Sequence, residues 1–206
     1  MLRLIIFDCD GVMFNSRAAN REYYNQLLNR FSRPEMDEEE LAYVHMHNAN
    51  NSVEYIFRRF PDQDMDAVKT YCRGLDYSPF FRFMQMERDL IEFLEFAKPR
   101  YELAISTNRT DTMHPLLKEF NLLQYFGKIM TAGNARRPKP APDALFEILD
   151  YFNCKADEAI YIGDSIIDRQ HTEAAGMRLI AFKNPGLPAE FHVSSFMEIC
   201  ALPPLA

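Results

Sequence analysis

The stretch Leu2-Arg3-Leu4-Ile5-Ile6-Phe7-Asp8-Cys9-Asp10-Gly11-Val12 constrains the fold more than any other part of the chain. An almost unbroken apolar run stops at two aspartates one residue apart, and a glycine follows. A run this apolar suits a strand buried on both faces, as in a parallel sheet. Residues two apart on an extended chain point the same way. Asp8 and Asp10 are therefore expected to aim their carboxylates into one space beyond the strand's carboxyl end, where open α/β sheets bind ligands. Gly11 permits a tight turn there.

Beyond Ser16 the pattern changes. Up to about residue 82 no strand is expected, and helices are predicted over 17–31, 38–47, 52–60 and 64–73, broken at Pro34, Pro61 and Pro79. Asp37 and Asp64 are suited to N-caps. From Met86 onward strands and helices alternate. Strands are predicted over 101–106, 128–131, 159–162 and 177–182, the last of the series. Helices are predicted over 87–97, 111–120, 142–152 and 165–175, with an irregular proline-rich tail over 200–206. Such alternation implies a doubly wound parallel sheet in an α/β core. The domain boundaries expected are 1–16 with 84–206 for the core and 17–83 for a helical insertion.

Composition limits the function. The net charge of −7 argues against a nucleic-acid partner, because phosphate backbones demand a basic face. No apolar run reaches membrane-spanning length, and the apolar start is too short and too soon acidic for a signal peptide. Cys9, Cys72, Cys154 and Cys200 lack metal-type spacing and read as reduced thiols of a cytoplasmic protein. His45 and His47 have no third ligand nearby in sequence, which argues against zinc. A monomer or homodimer is expected.

Four strand ends carry complementary polar groups. The first supplies Asp8 and Asp10. The second runs into Ser106-Thr107-Asn108, offering hydroxyls and an amide. The third is followed by Arg136-Arg137-Pro138-Lys139-Pro140. The fourth ends in Gly163-Asp164-Ser165-Ile166-Ile167-Asp168. Parallel strands put these ends on one edge. Four carboxylates brought together raise one another's pKa or require a cation, and an all-oxygen donor set selects a hard ion such as Mg²⁺. With Mg²⁺ and Lys139 the charge approaches neutrality, and the pocket could admit a phosphoryl group. A carboxylate can attack phosphorus to form an aspartyl-phosphate, and a second can move the protons. Hydroxyl, amide and lysine donors would stabilise the equatorial oxygens.

Together and in this order, the four segments resemble the motifs of the haloacid dehalogenase-like superfamily, in its phosphatase branch. The first motif matches Asp8-Cys9-Asp10-Gly11-Val12. The second falls at Thr107, with Ser106 the alternative. The third is the lysine of Lys139-Pro140-Ala141-Pro142-Asp143. The fourth is Gly163-Asp164 followed by Asp168. The resemblance implies a Rossmann-like core with a small helical cap. It implies Asp8 as nucleophile and metal ligand, and Asp10 as acid/base holding the metal through its backbone carbonyl. Asp164 would be on the metal, with Asp168 behind it. Thr107, Asn108 and Lys139 would bind phosphate. The implied activity is Mg²⁺-dependent hydrolysis of a small phosphate monoester, as in phosphoglycolate phosphatase-like members. One departure is Asn15-Ser16, where similar proteins have an acid before the hydroxyl residue. Three rivals stand beside it. A sugar phosphomutase would place an arginine in the cap, and 45–52 has none, although Arg58 and Arg59 follow. A dehalogenase would lack the acid at Asp10. A non-enzymatic phospho-aspartate module would carry adjacent N-terminal acids and no insertion.

Overall fold

In the computed structural model the described residues are 1–203 and 205. The chain divides into two compact units, residues 1–15 with 86–206 and residues 16–85.

The first unit is built on a six-stranded sheet of β1 (Leu4–Phe7), β4 (Glu102–Thr107), β5 (Lys128–Thr131), β6 (Ala159–Gly163), β7 (Arg178–Phe182) and β8 (Phe191–Val193). Their order is β5-β4-β1-β6-β7-β8, and every neighbouring pair is parallel. All four residues of β1 are buried, as its composition requires of a strand at the sheet centre. The chain first builds outward from one side of β1, then returns to build outward from the other. The switch beside β1 opens a crevice at the carboxyl ends of the strands.

Helices cover both faces. On one, Leu4, Ile6, Ala104 and Tyr161 pack with Leu145 and Ile148 of α7 (Asp143–Phe152). On the other, Phe7 meets Phe93 of α5 (Leu90–Ala97) and Phe196 of α9 (Phe196–Ile199) with ring centroids 6.0 Å apart in each case. The unit also holds α6 (Met113–Glu119) and α8 (Ile166–Ala174). A two-stranded ribbon of β2 (Phe14–Asn15) and β3 (Gln85–Met86) forms where the chain passes from one unit to the other and back.

The second unit contains α1 (Arg17–Arg30), α2 (Glu38–Met46), α3 (Ala49–Phe57) and α4 (Met65–Gly74), then a 3-10 turn over Ser78–Phe83. Asp37 and Asp64 accept backbone hydrogen bonds as N-caps. Its core is formed by residues such as Tyr24, Leu28, Leu41, Ile56 and Val68.

Several expectations need correction. α3 starts three residues earlier than predicted, because Asn48 Oδ1 accepts from Asn51 N at 3.1 Å and caps it. The polar run at 48–51 is thus a helix start. The strand at 177–182 is not the last: β8 pairs beyond it, with Lys183 N donating to Val193 O at 2.8 Å. A three-residue edge strand shows no periodicity to read. In the tail, residues 201–203 and Leu205 lie in turns and bends, while Pro204 and Ala206 lie outside the described residues. No helix among the described residues is long and apolar enough to cross a membrane.

Candidate active site

Asp8 follows β1 directly, and its N–H continues the ladder to Ile162 O at 2.9 Å. The bond fixes the residue at the crevice edge. Its carboxylate is buried, and Oδ1 accepts from Cys9 N at 2.6 Å and from Lys139 Nζ at 2.9 Å. After Asp10 the backbone turns through Gly11, whose φ is +81°. A Cβ at that position would collide with the Asp164 carboxylate, so only glycine permits this approach.

Asp164 lies in the turn between β6 and α8, and Asp168 in the first turn of α8. Asp168 is fully buried, and its Oδ2 accepts from Asp164 N, Ser165 N and Ser165 Oγ at 3.2, 3.1 and 2.7 Å. Ser165 Oγ in turn accepts from Asp168 N at 3.3 Å, closing a capping box that fixes the turn. Asn184, just beyond β7, donates to the Asp164 carbonyl at 2.7 Å.

Lys139 is buried in the loop between β5 and α7. Its Nζ reaches Asp168 Oδ1 at 2.7 Å, Asp8 Oδ1 at 2.9 Å and the Tyr161 hydroxyl at 3.0 Å. An ammonium has three protons, and here three acceptors take them. Asn108 Nδ2 donates to the Lys139 carbonyl at 3.4 Å, joining the second and third strand ends.

Asp8, Asp164 and Asp168 bring one carboxylate oxygen each within 4.8 Å of one another. One lysine cannot neutralise three acids. Burial raises the Asp8 carboxyl to about 7, with Asp168 adding to the rise and Lys139 opposing it. Burial likewise raises Asp164 to about 8, helped by the charges of Asp168 and Asp8. Burial would raise Asp168 too, but the charge of Lys139 and its hydrogen bond at 2.7 Å bring it below the usual carboxylate range. The excess negative charge and the all-oxygen donors fit a hard divalent cation.

The side chain of Asp10 lies outside that trio. Its Oδ1 accepts from Arg109 Nη2 at 2.7 Å, and both side chains are largely buried. Arg109, which no sequence motif marks, also ties to Thr107: its backbone N donates to Thr107 Oγ1 at 3.2 Å. The Ser106 hydroxyl instead meets His171 Nε2 at 3.0 Å. Arg136 and Arg137 are exposed, and Arg137 pairs with Asp143 at 2.8 Å. Tyr161 and His171 are likewise silent in the sequence, since a tyrosine in an apolar strand and a lone helical histidine carry no motif.

The family model for haloacid dehalogenase-like hydrolases matches residues 5–182. A phosphoglycolate phosphatase of Pseudomonas syringae pv. tomato is 28% identical over 201 residues, covering 90% of this chain and 72% of its own. One from Pectobacterium atrosepticum is 26% identical, covering 87% and 79%. Among solved structures, a subfamily IA hydrolase from Geobacter sulfurreducens superposes with a TM-score of 0.86 at 32% identity, covering 98% and 99%. CbbY from Rhodobacter sphaeroides, solved in complex with phosphate, shares the fold with a TM-score of 0.78 at 19% identity, covering 97% and 96%. With a match spanning β1 to β7 and the acids and lysine gathered at one sheet edge, the chain belongs to the haloacid dehalogenase-like hydrolase family and is an enzyme of its phosphatase type.

Proposed function

We propose that the protein is a Mg²⁺-dependent phosphatase of the cytoplasm that hydrolyses a small phosphate monoester, such as 2-phosphoglycolate, through an aspartyl-phosphate on Asp8. The observation that carries this reading is the buried Asp8 carboxylate, held by Lys139 at 2.9 Å and beside Asp164 at the centre of the parallel sheet. The relatives named phosphoglycolate phosphatases support the choice of substrate.

Asp8 and Asp164, with the main-chain carbonyl of Asp10, would hold Mg²⁺, which supplies the positive charge needed for a phosphoryl dianion to approach two carboxylates. Asp8 attacks phosphorus and displaces the leaving oxygen. Asp10 donates a proton from its carboxyl to that oxygen, then takes one from the water that cleaves the aspartyl-phosphate. Of the three protons on Lys139, the one on Asp8 is redirected to a phosphoryl oxygen. Those on Asp168 and Tyr161 keep the ammonium in place. Thr107 accepts from Arg109 N and so keeps its own hydroxyl proton for the phosphoryl group, with Asn108 beside it. Ser106 is engaged by His171, which favours Thr107 as the second-motif hydroxyl.

Asp8→Asn is expected to abolish turnover of both p-nitrophenyl phosphate and 2-phosphoglycolate while leaving the fold intact by circular dichroism. More than a few per cent of wild-type turnover, about 2 kcal/mol or less of lost transition-state stabilisation, would remove Asp8 as nucleophile. Release of inorganic phosphate, rather than isomerisation of a sugar phosphate, distinguishes hydrolysis from mutase chemistry.

A further inference from the structure

The loop carrying Lys139 is tied to the sheet at two points by a closed circuit of hydrogen bonds, three of them buried and the last part-buried. Lys139 Nζ donates to the Tyr161 oxygen at 3.0 Å, and the Tyr161 hydroxyl donates to Ser106 O at 2.8 Å, with Asp168 Oδ1 at 3.1 Å on its flank. Ser106 Oγ lies 3.0 Å from His171 Nε2, and His171 Nδ1 lies 2.7 Å from Ala141 O. A carbonyl only accepts, so Nδ1 carries the proton and Nε2 accepts from the serine. Each donor then spends one proton in the same sense around the ring, from residue 139 through the sheet and back to residue 141. Tyr161, Ser106 and His171 have no solvent exposure. The His171 ring also packs edge-on against Tyr161 with centroids 5.7 Å apart.

We propose that His171 and Ser106 are positioning residues for the phosphoryl-transfer site, setting where the Lys139 ammonium and the neighbouring Thr107 hydroxyl sit. Residue 106 is the pivot. Its backbone carbonyl holds Tyr161, its hydroxyl holds His171, and the next residue is Thr107. Displacing it moves the second and third motif groups together. Burial keeps the His171 imidazole neutral, with a pKa lowered to about 4, so the circuit persists across the neutral range. The proposal rests on Lys139 acting upon the phosphoryl group, and the experiment separates the two ideas.

The test measures kcat per folded molecule on p-nitrophenyl phosphate with Mg²⁺, and the inhibition constant of inorganic phosphate, for Ser106→Ala, His171→Ala and His171→Asn. Ser106→Ala deletes a single oxygen and remains informative if a histidine variant folds poorly. Each alanine variant is expected to lose about tenfold or more in kcat, with weaker phosphate inhibition, because small misplacements near reacting atoms are costly. The double alanine variant should cost no more than the worse single one, since both cut the same circuit. His171→Asn keeps a donor near the Nδ1 position and should recover part of the loss. Unchanged kcat and phosphate inhibition per folded molecule in both alanine variants, whatever happens to melting temperature, overturns the proposal. So does strict additivity of the two losses. Lys139→Met is the control: an active variant removes the role of Lys139 itself, whereas an inactive one beside unaffected circuit variants removes only the circuit.

Discussion

At the scale of single residues, the site is a problem of charge. Asp8 and Asp164 hold protons more tightly in the folded, metal-free protein than in the unfolded chain, since burial raises them to about 7 and about 8. The folded state therefore binds more protons than the unfolded one between about pH 4 and pH 8, and their contribution to stability falls as pH rises through that window. His171 works the other way, because its lowered pKa makes its contribution disappear as pH falls from about 6.5 towards 4. A divalent cation binds the deprotonated carboxylates and competes with those protons. The increase in melting temperature on adding saturating Mg²⁺ should accordingly be small near about pH 5 and large near about pH 8. A gain that is larger at the acid end contradicts the assignment of Asp8 and Asp164 to the cation. The acids and the lysine are legible in the sequence because four apolar strands in turn run into polar groups of complementary kinds: acids after β1 and β6, hydroxyls and an amide after β4, a lysine after β5. Arg109, Tyr161 and His171 were not, because their partners lie far away in the chain: Asp10 is 99 residues from Arg109 and Ser106 is 65 from His171.

At the scale of elements, α2 shows how one carboxylate anchors a short helix at its start. Asp37 accepts from Glu40 N at 2.8 Å, and Glu40 Oε2 accepts from Asp37 N at 3.3 Å. The same Glu40 side chain, only 1% exposed, pairs with Arg58 at 2.8 Å and Arg59 at 3.0 Å just beyond α3. One carboxylate thus finishes the start of one helix and joins it to the end of the next. Glu40→Ala should lower stability by about 2 kcal/mol, because the cap is halved and the arginines lose their common partner. Their partial exposure keeps the cost below that of a wholly buried pair. Glu40→Gln, which retains an acceptor, should cost about half as much, and urea unfolding measures both. Sequence signals predicted the caps Asp37 and Asp64 but not Asn48, where three asparagines in four residues obscured the helix start. The buried strands are legible for a related reason: β1, β6 and the Leu103–Ile105 centre of β4 are apolar on both faces and cannot be read as anything solvated. β8 has only three residues, one of them an exposed histidine, and pairing with β7 rather than local propensity makes it a strand.

At the scale of the molecule, each unit has an apolar cluster of its own, and every acid of the candidate site belongs to the α/β unit. The three clustered acids and Lys139 come from residues 8, 139, 164 and 168, so a local opening that carries away any one of these segments breaks the cluster. Binding that requires all of these segments suppresses the openings that would part them, and leaves other openings at their own frequency. Hydrogen exchange with and without Mg²⁺ should therefore show added protection in β1, in β6 and at the start of α8, and in the loop before α7. Amides of α2, α3 and α4 should exchange at unchanged rates, since their core contains none of these groups. Protection that arises first in α2–α4, or equally in both units, would place the cation elsewhere. Protection confined to the α/β unit and lost in Asp164→Asn would tie it to the carboxylates beside Asp8.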